Sequence, residues 1–402
     1  MKLFARSSGI LAAAASVLLL WSGAAASAAA PASPWPMGDH DAARSGLNAA
    51  ETALSSTSIH GLHLQHTVTL ARSSSGGCGG SSPAFPAEVG NVLYLVNGGA
   101  NSVSAYNVTT GARIWNHALD AAGSSIYVGL AVVGGRVFVG GVDCESQSDP
   151  NGFVRAFNAT TGSQQWNVGT LGAAADIAVS NGKVVTTGST VGSGATINVL
   201  DPATGKKVWN KTYDSSCAGF FTTTVVSRGH VIFCSEDLNG KGTLHALSLA
   251  NGAQAWSKAG IYSNLRGDTD ATSAADLYAD NPSGHLTDLA PATGAVKWTS
   301  TSETGAPLAV GKKRLYISCN GTALCALPKA GGARLWKANV APTHVAVASD
   351  LVYPAPGGPL LANTGAHVAV TGYPAAATSV IIANGRLISS GAGRTVSIFG
   401  LS

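Results

Sequence analysis

Residues 105–115 read AYNVTTGARIW, and residues 156–166 read AFNATTGSQQW. Aligned on the tryptophan, the motif returns four more times: VLDPATGKKVW (199–209), ALSLANGAQAW (246–256), DLAPATGAVKW (288–298) and ALPKAGGARLW (326–336). Trp115, Trp166, Trp209, Trp256, Trp298 and Trp336 are spaced by 51, 43, 47, 42 and 38 residues. Each is preceded four positions earlier by a glycine: Gly111, Gly162, Gly205, Gly252, Gly294 and Gly332. A period in this range marks a propeller or a solenoid. Locally each copy is a strand, a tight turn and a second strand. The glycine supplies the positive φ of the turn, and the Trp ring is large enough to cover a neighbouring repeat.

Upstream of the motifs stand further strand pairs broken by glycine turns, such as SSIYVGLAVVGGRVFVGGVD (124–143) and FTTTVVSRGHVIFCSED (221–237). Four strands in about 45 residues make one propeller blade. Two more copies are degenerate. PLLANTGAHVA (359–369) keeps Gly365 but has Ala369 in place of Trp. TSVIIANGRLISSGAGRTVSIFGLS (378–402) holds three strands and no fourth. The unpaired stretch LHLQHTVTL (62–70) supplies the missing outer strand, with His66 near the Trp position. The expected fold is therefore all-β: an eight-bladed β-propeller of four-stranded blades, closed by an N-terminal strand. Closure removes the sheet edges that an open array would expose.

Composition agrees with short strands and turns. The chain has 402 residues, 50 of them Gly, and is 11% charged, against about 25% in an average soluble protein. Net charge is +4 and thinly spread, with no basic run longer than three residues, so nucleic acid gains no support as a partner. Lys2 and Arg6, the apolar run Gly9 to Trp21 and the small residues Ala26, Ser27 and Ala28 make a secretory signal peptide. It is too short for a span of about 20 residues, and no later stretch is long and apolar enough to span a bilayer. The expected domains are a signal peptide (1–28), a lead-in (29–61) and the propeller (62–402). The protein is expected to be secreted, extracellular or periplasmic, and a monomer.

Export favours disulfides among the six cysteines. CNGTALC sets Cys319 and Cys325 across a hairpin turn, and Cys217 enters the blade that Cys234 leaves. Cys78 and Cys144 remain as the third pair, on adjacent blades. All six map to the face carrying the loops between blades and between second and third strands, as do the longest loops, 71–86, 141–152, 210–221 and 257–272. That face is expected to bind an extracellular protein or small molecule. Elsewhere the ordinary reading prevails. GGCGGSS (76–82) reads as a loop with an oxidised Cys, and NLRGDTDATS (264–273) as a polar loop in which Arg-Gly-Asp and Asp-x-Asp arise by chance. At a spacing of three, His60, His63 and His66 alternate faces of a strand and share no metal.

The repeats resemble the pyrroloquinoline-quinone (PQQ) propeller family, in which A-x-D-x-x-T-G-x-x-x-W marks the outer strands and the Trp docks on the next blade. PWPMGDHDAARSGLNAAETALS (34–55) resembles the lead-in of secreted bacterial members. The family includes quinone-dependent dehydrogenases and non-enzymatic scaffolds of the outer-membrane assembly type, so the resemblance implies fold before function. Dehydrogenases carry adjacent cysteines beside the quinone, a calcium or lanthanide site of Glu, Asn and Asp with a catalytic Asp, and in some members a C-x-x-C-H haem attachment. Neither cysteine signature occurs here, and no acidic set maps to the metal motif. The expectation is a non-enzymatic binding or scaffold protein with no catalytic residues, no metal and no cofactor. The alternatives are an atypical PQQ and Ca²⁺ dehydrogenase and a carbohydrate-binding propeller using Tyr213, Phe220, Phe221 and Tyr262.

Overall fold

The computed structural model describes residues 32–70, 86–97, 100–119, 125–143, 152–189, 194–217, 224–260, 262–269, 276–391 and 394–401. They form eight antiparallel blades around a central axis. Blade one is Ala87–Val89, Val92–Asn97, Ser102–Asn107 and Arg113–Ala118, numbered from axis to rim. The next five blades repeat that order, ending in the outer strands Gln164–Thr170, Lys207–Tyr213, Gln254–Ala259, Val296–Thr304 and Trp336–Ala338. Strand burial follows position. The inner strands His344–Ala348 and Ser379–Ala383 are buried at every residue. Covered on both faces, they are apolar after their first residues, His344 and Ser379. In the outer strand Arg113–Ala118, the Trp115 and His117 rings are half-covered and the other residues are exposed.

Blade eight is completed as expected. Leu62–Thr69 pairs antiparallel with Thr395–Leu401, joining residues more than 320 positions apart. Blade seven departs from the pattern. It has only three strands of its own, His344–Ala348, Leu351–Ala355 and Leu360–Leu361. Its outer strand is reduced to a single bridge between Leu360 and His367, and Ala369 is exposed. A fourth strand comes instead at the axis, where Leu47–Asn48 of the lead-in pairs parallel with His344–Ala348.

The blades meet through their tryptophans. The Trp115 indole nitrogen donates to Ala159 O of blade two at 2.9 Å. A Cβ on Gly162 would lie 2.6 Å from Trp115 Cδ2, and Gly162 has φ of 71°. Both its backbone conformation and the ring above it thus require glycine. Trp166, Trp209 and Trp256 repeat the contact through Pro202 O, Leu249 O and Pro291 O and over Gly205, Gly252 and Gly294. Trp336 donates to Ala362 O and covers Gly365. His66 does the same at the closing seam: its Nε2 lies 2.8 Å from Thr109 O and its ring covers Gly111.

Two expectations need correcting. The glycine under Trp298 is Gly331, not Gly332, which meets no neighbour within 4 Å. The sixth turn holds two glycines, and its outer strand starts late, at Trp336. The tryptophans are also less buried than core residues. Only Trp336 is buried, and the other five are half-buried, because each ring sits on the rim with one face on the next blade.

Candidate functional site

The lead-in is more than an approach to the ring. Residues 33–48 wind around the axis at the turn-bearing end of the inner strands. Trp35 N and O exchange hydrogen bonds with Glu88 of blade one at 2.8 and 2.9 Å. Pro36 O accepts from Val132 N of blade two, Ala42 O from Val226 N of blade four and Ala43 O from Gly267 N of blade five, each at 2.7 Å. Ser45 O accepts from Val310 N of blade six at 2.7 Å, and Gly46 O from Val347 N of blade seven at 2.8 Å. In blade eight, Ser33 O accepts from Asn384 N at 3.1 Å, and Asn48 Nδ2 donates to Ile382 O at 2.8 Å. Blade three is reached by a side chain: Arg44 Nη2 donates to Ile177 O at 3.2 Å and pairs with Asp176. One segment therefore touches all eight blades. Its tight path needs left-handed backbone at Asp39, His40, Arg44 and Gly46.

This hub concentrates charge in a chain that has little. Asp39 Oδ2 lies 3.6 Å from Arg266 Nη2 of blade five, and Asp39 Oδ1 lies 3.5 Å from His344 Nε2 of blade seven. Burial by itself would raise the Asp39 carboxyl. Arg266, His344 and Arg44 together outweigh it and hold the group well below the usual carboxylate range. Asp41 knots the segment, accepting from Ala43 N at 2.9 Å and Ser45 N at 3.2 Å and pairing with His40 at 3.3 Å. A second carboxylate pair pins the lead-in between blades eight and one. Glu51 accepts from Ser33 Oγ (2.8 Å) and Gly385 N (2.7 Å). Glu88 accepts from Asn384 Nδ2 (2.6 Å) and Asn91 N (2.9 Å). Burial pushes the Glu88 carboxyl up to about 7, against the Asn384 hydrogen bond and the Arg386 charge.

Asp39, Arg44, Asp176 and His344 were not singled out in the sequence, and Arg266 stood there only as part of a chance Arg-Gly-Asp. Its available signal was GDHDAARSG (38–46), four ionisable side chains within six residues of a chain that is 11% charged. The reading of 264–273 as a polar loop is overturned. Ser263–Gly267 is the inner strand of blade five, so 257–272 is not one long loop. Arg266 pairs with Asp39, and Asp268, 3% exposed, pairs with Lys329. An Arg-Gly-Asp turned into the ring presents no adhesion surface.

On the opposite face, Cys217 and Cys234 have Cα atoms 5.4 Å apart, and Cys319 and Cys325 5.8 Å apart, both at disulfide distance. Cys78 and Cys144 lie outside the described residues, as do Phe220 and Phe221. The other two aromatics offer no sugar platform. Tyr262 is buried, and the Tyr213 ring packs at 4.9 Å on Phe233 and 4.7 Å on His245.

The quinone site implied by the repeat does not fit these residues. A quinone bearing carboxylates needs cations to receive it, but Arg44 and Arg266 on the axis already face Asp176 and Asp39. Among the described residues, the only three metal-capable side chains grouped together are Glu303, Cys319 and Cys325. That cysteine pair is at disulfide distance and Glu303 pairs with Arg334 at 3.0 Å, so this is no hard-cation site.

The comparisons agree on architecture. Residues 150–308 match the model of a family described as outer membrane protein assembly factor BamB. No curated protein matches the chain. Among solved structures, BamB from Moraxella catarrhalis is 20% identical, with a TM-score of 0.61 over 85% of this chain and 98% of that one. A europium-containing methanol dehydrogenase is 12% identical, with a TM-score of 0.68 over 92% and 98%. Quinohemoprotein alcohol dehydrogenase from Comamonas testosteroni is 14% identical, with a TM-score of 0.64 over 92% and 81%. The protein is an eight-bladed β-propeller. At these identities the likeness carries the fold, which scaffolds and dehydrogenases share.

Proposed function

We propose that this protein is an exported, non-enzymatic binding or scaffold propeller that engages a protein or small-molecule ligand through its cysteine-bearing loop face. The observation that carries this reading is the axial hub. On the axis, Arg44, Asp176, Asp39, Arg266 and His344 are engaged in pairs between lead-in and blades. The hub is built to hold the ring together. The loop face is then the variable surface, stiffened at its base by two cysteine pairs. Those pairs support an extracellular or periplasmic location, with residues 1–28 as the export signal. Likeness to BamB supports protein binding as the use of the propeller. The test is reconstitution of the exported protein with PQQ and Ca²⁺. No bound-quinone absorption and no dye-linked alcohol oxidation are expected. A stoichiometric quinone spectrum with alcohol oxidation would overturn the reading in favour of a dehydrogenase.

A further inference from the structure

Lys312, Lys313 and Arg314 are the only three consecutive basic residues in the chain. Lys312 and Lys313 lie in the turn between the first two strands of blade six, Pro307–Val310 and Arg314–Cys319, and Arg314 begins the second strand. The turn borders a cavity of about 440 Å³ that blade six alone does not make. Its far wall is blade seven, through Ser349, Asp350 and Asn363, and Ser56 of the lead-in closes one side. Leu47, Tyr316 and Leu361 give it an apolar floor. Three regions distant in sequence thus build one notch with a basic rim.

The charges around it are unevenly engaged. Asp350 is the only acid in the lining. Its two oxygens are already held by Ser56, from N at 2.9 Å and from Oγ at 2.6 Å. It therefore serves to fix the lead-in against blade seven. Lys312 and Lys313 are exposed. Arg314 Nε is buried with no hydrogen-bond partner. Three cations thus line a cavity whose single carboxylate has a structural task. Ser349 Oγ also donates to Asp350 at 3.5 Å, so the lysine ammonium groups, the Arg314 guanidinium and the Asn363 amide are the donors that suit a tetrahedral oxyanion with more acceptor atoms than a carboxylate.

We infer that the notch between blades six and seven binds a phosphate group, with the organic part of a phosphoester on its apolar floor. The group could be carried by a soluble phosphoester or by a lipid headgroup, which share this chemistry. The site lies on the turn-bearing face and is independent of the loop-face reading above.

The test is calorimetric titration of the exported protein with glycerol 3-phosphate at low ionic strength. Saturable binding is expected, weakened by raising salt because the rim is exposed. K312Q/K313Q should weaken it at least tenfold with an unchanged melting temperature, since both side chains are exposed. K313E alone is the second variant, should the double variant fail to fold. Flotation with vesicles of phosphatidylglycerol or of phosphatidylcholine distinguishes the sources. Glycerol phosphate binding without flotation supports a soluble phosphoester. Flotation on the anionic vesicles that glycerol phosphate competes away supports a headgroup. No saturable binding to the unaltered protein, or equal binding by the lysine variants, would overturn the inference.

Discussion

The six seams from blade one to blade seven and the region from blade seven round to blade one solve the same problem differently. In the first set, each seam is sealed by the Trp of one outer strand on the turn glycine of the next blade. The device repeats about every 45 residues and needs nothing from elsewhere. In the second region it fades. Blade eight offers His66, and blade seven, with Ala369 exposed, offers no ring among the described residues. There the lead-in takes over. Trp35, Leu54 and Ile59, all 0% exposed, pack in one cluster with residues of blades seven, eight and one. A repeat can seal a ring locally, but joining its two ends requires residues from outside the repeat.

Deleting residues 33–48 should have the largest effect, because every blade loses a contact at the axis. Loss of soluble protein in the exported fraction is expected. A soluble variant that melts like the parent would break the comparison. Next come Trp35→Ala and Trp336→Ala, one from each region. Both rings are buried, so each should lose about 3–5 kcal/mol in chemical denaturation. The half-buried Trp115 should lose less.

Glu88 adds a pH test specific to the lead-in region. Its folded-state value of about 7 lies above the ordinary 4.5, so the folded state binds the extra proton. Its contribution is full below pH 4.5 and is lost as pH rises through 7, by at most ~3 kcal/mol. Melting curves should show Glu88→Gln flattening that slope. A slope unchanged in the variant would place the titration elsewhere. The smallest effects sharpen the rim device. His66→Ala should cost about 1–2 kcal/mol by loss of a half-covered ring and one hydrogen bond. Ala369→Trp should change stability by less than about 0.5 kcal/mol, because blade seven has no outer strand to present the ring. Clear stabilisation by Ala369→Trp would mean that the missing ring, rather than the missing strand, is the defect.

Sequence and structure divide the explanation between them. The turn glycines, the tryptophans and the alternating strand runs are local chemistry, so the eight blades and the closing role of 62–70 were legible before any coordinates. Where the local signal doubled, at Gly331 and Gly332, the assignment slipped by one residue. The hub was not legible. Asp39, Arg266 and His344 span about 300 positions of the chain, and only closure of the ring brings the latter two within 4 Å of Asp39. For the same reason Arg266-Gly267-Asp268 read as a loop: its charges suit solvent unless partners wait inside. The sequence by itself determined the blade, because hydrogen bonding and burial within about 45 residues suffice to specify it. The tertiary structure alone decided what occupies the axis, because there the partners come from every blade and no spacing along the chain records them.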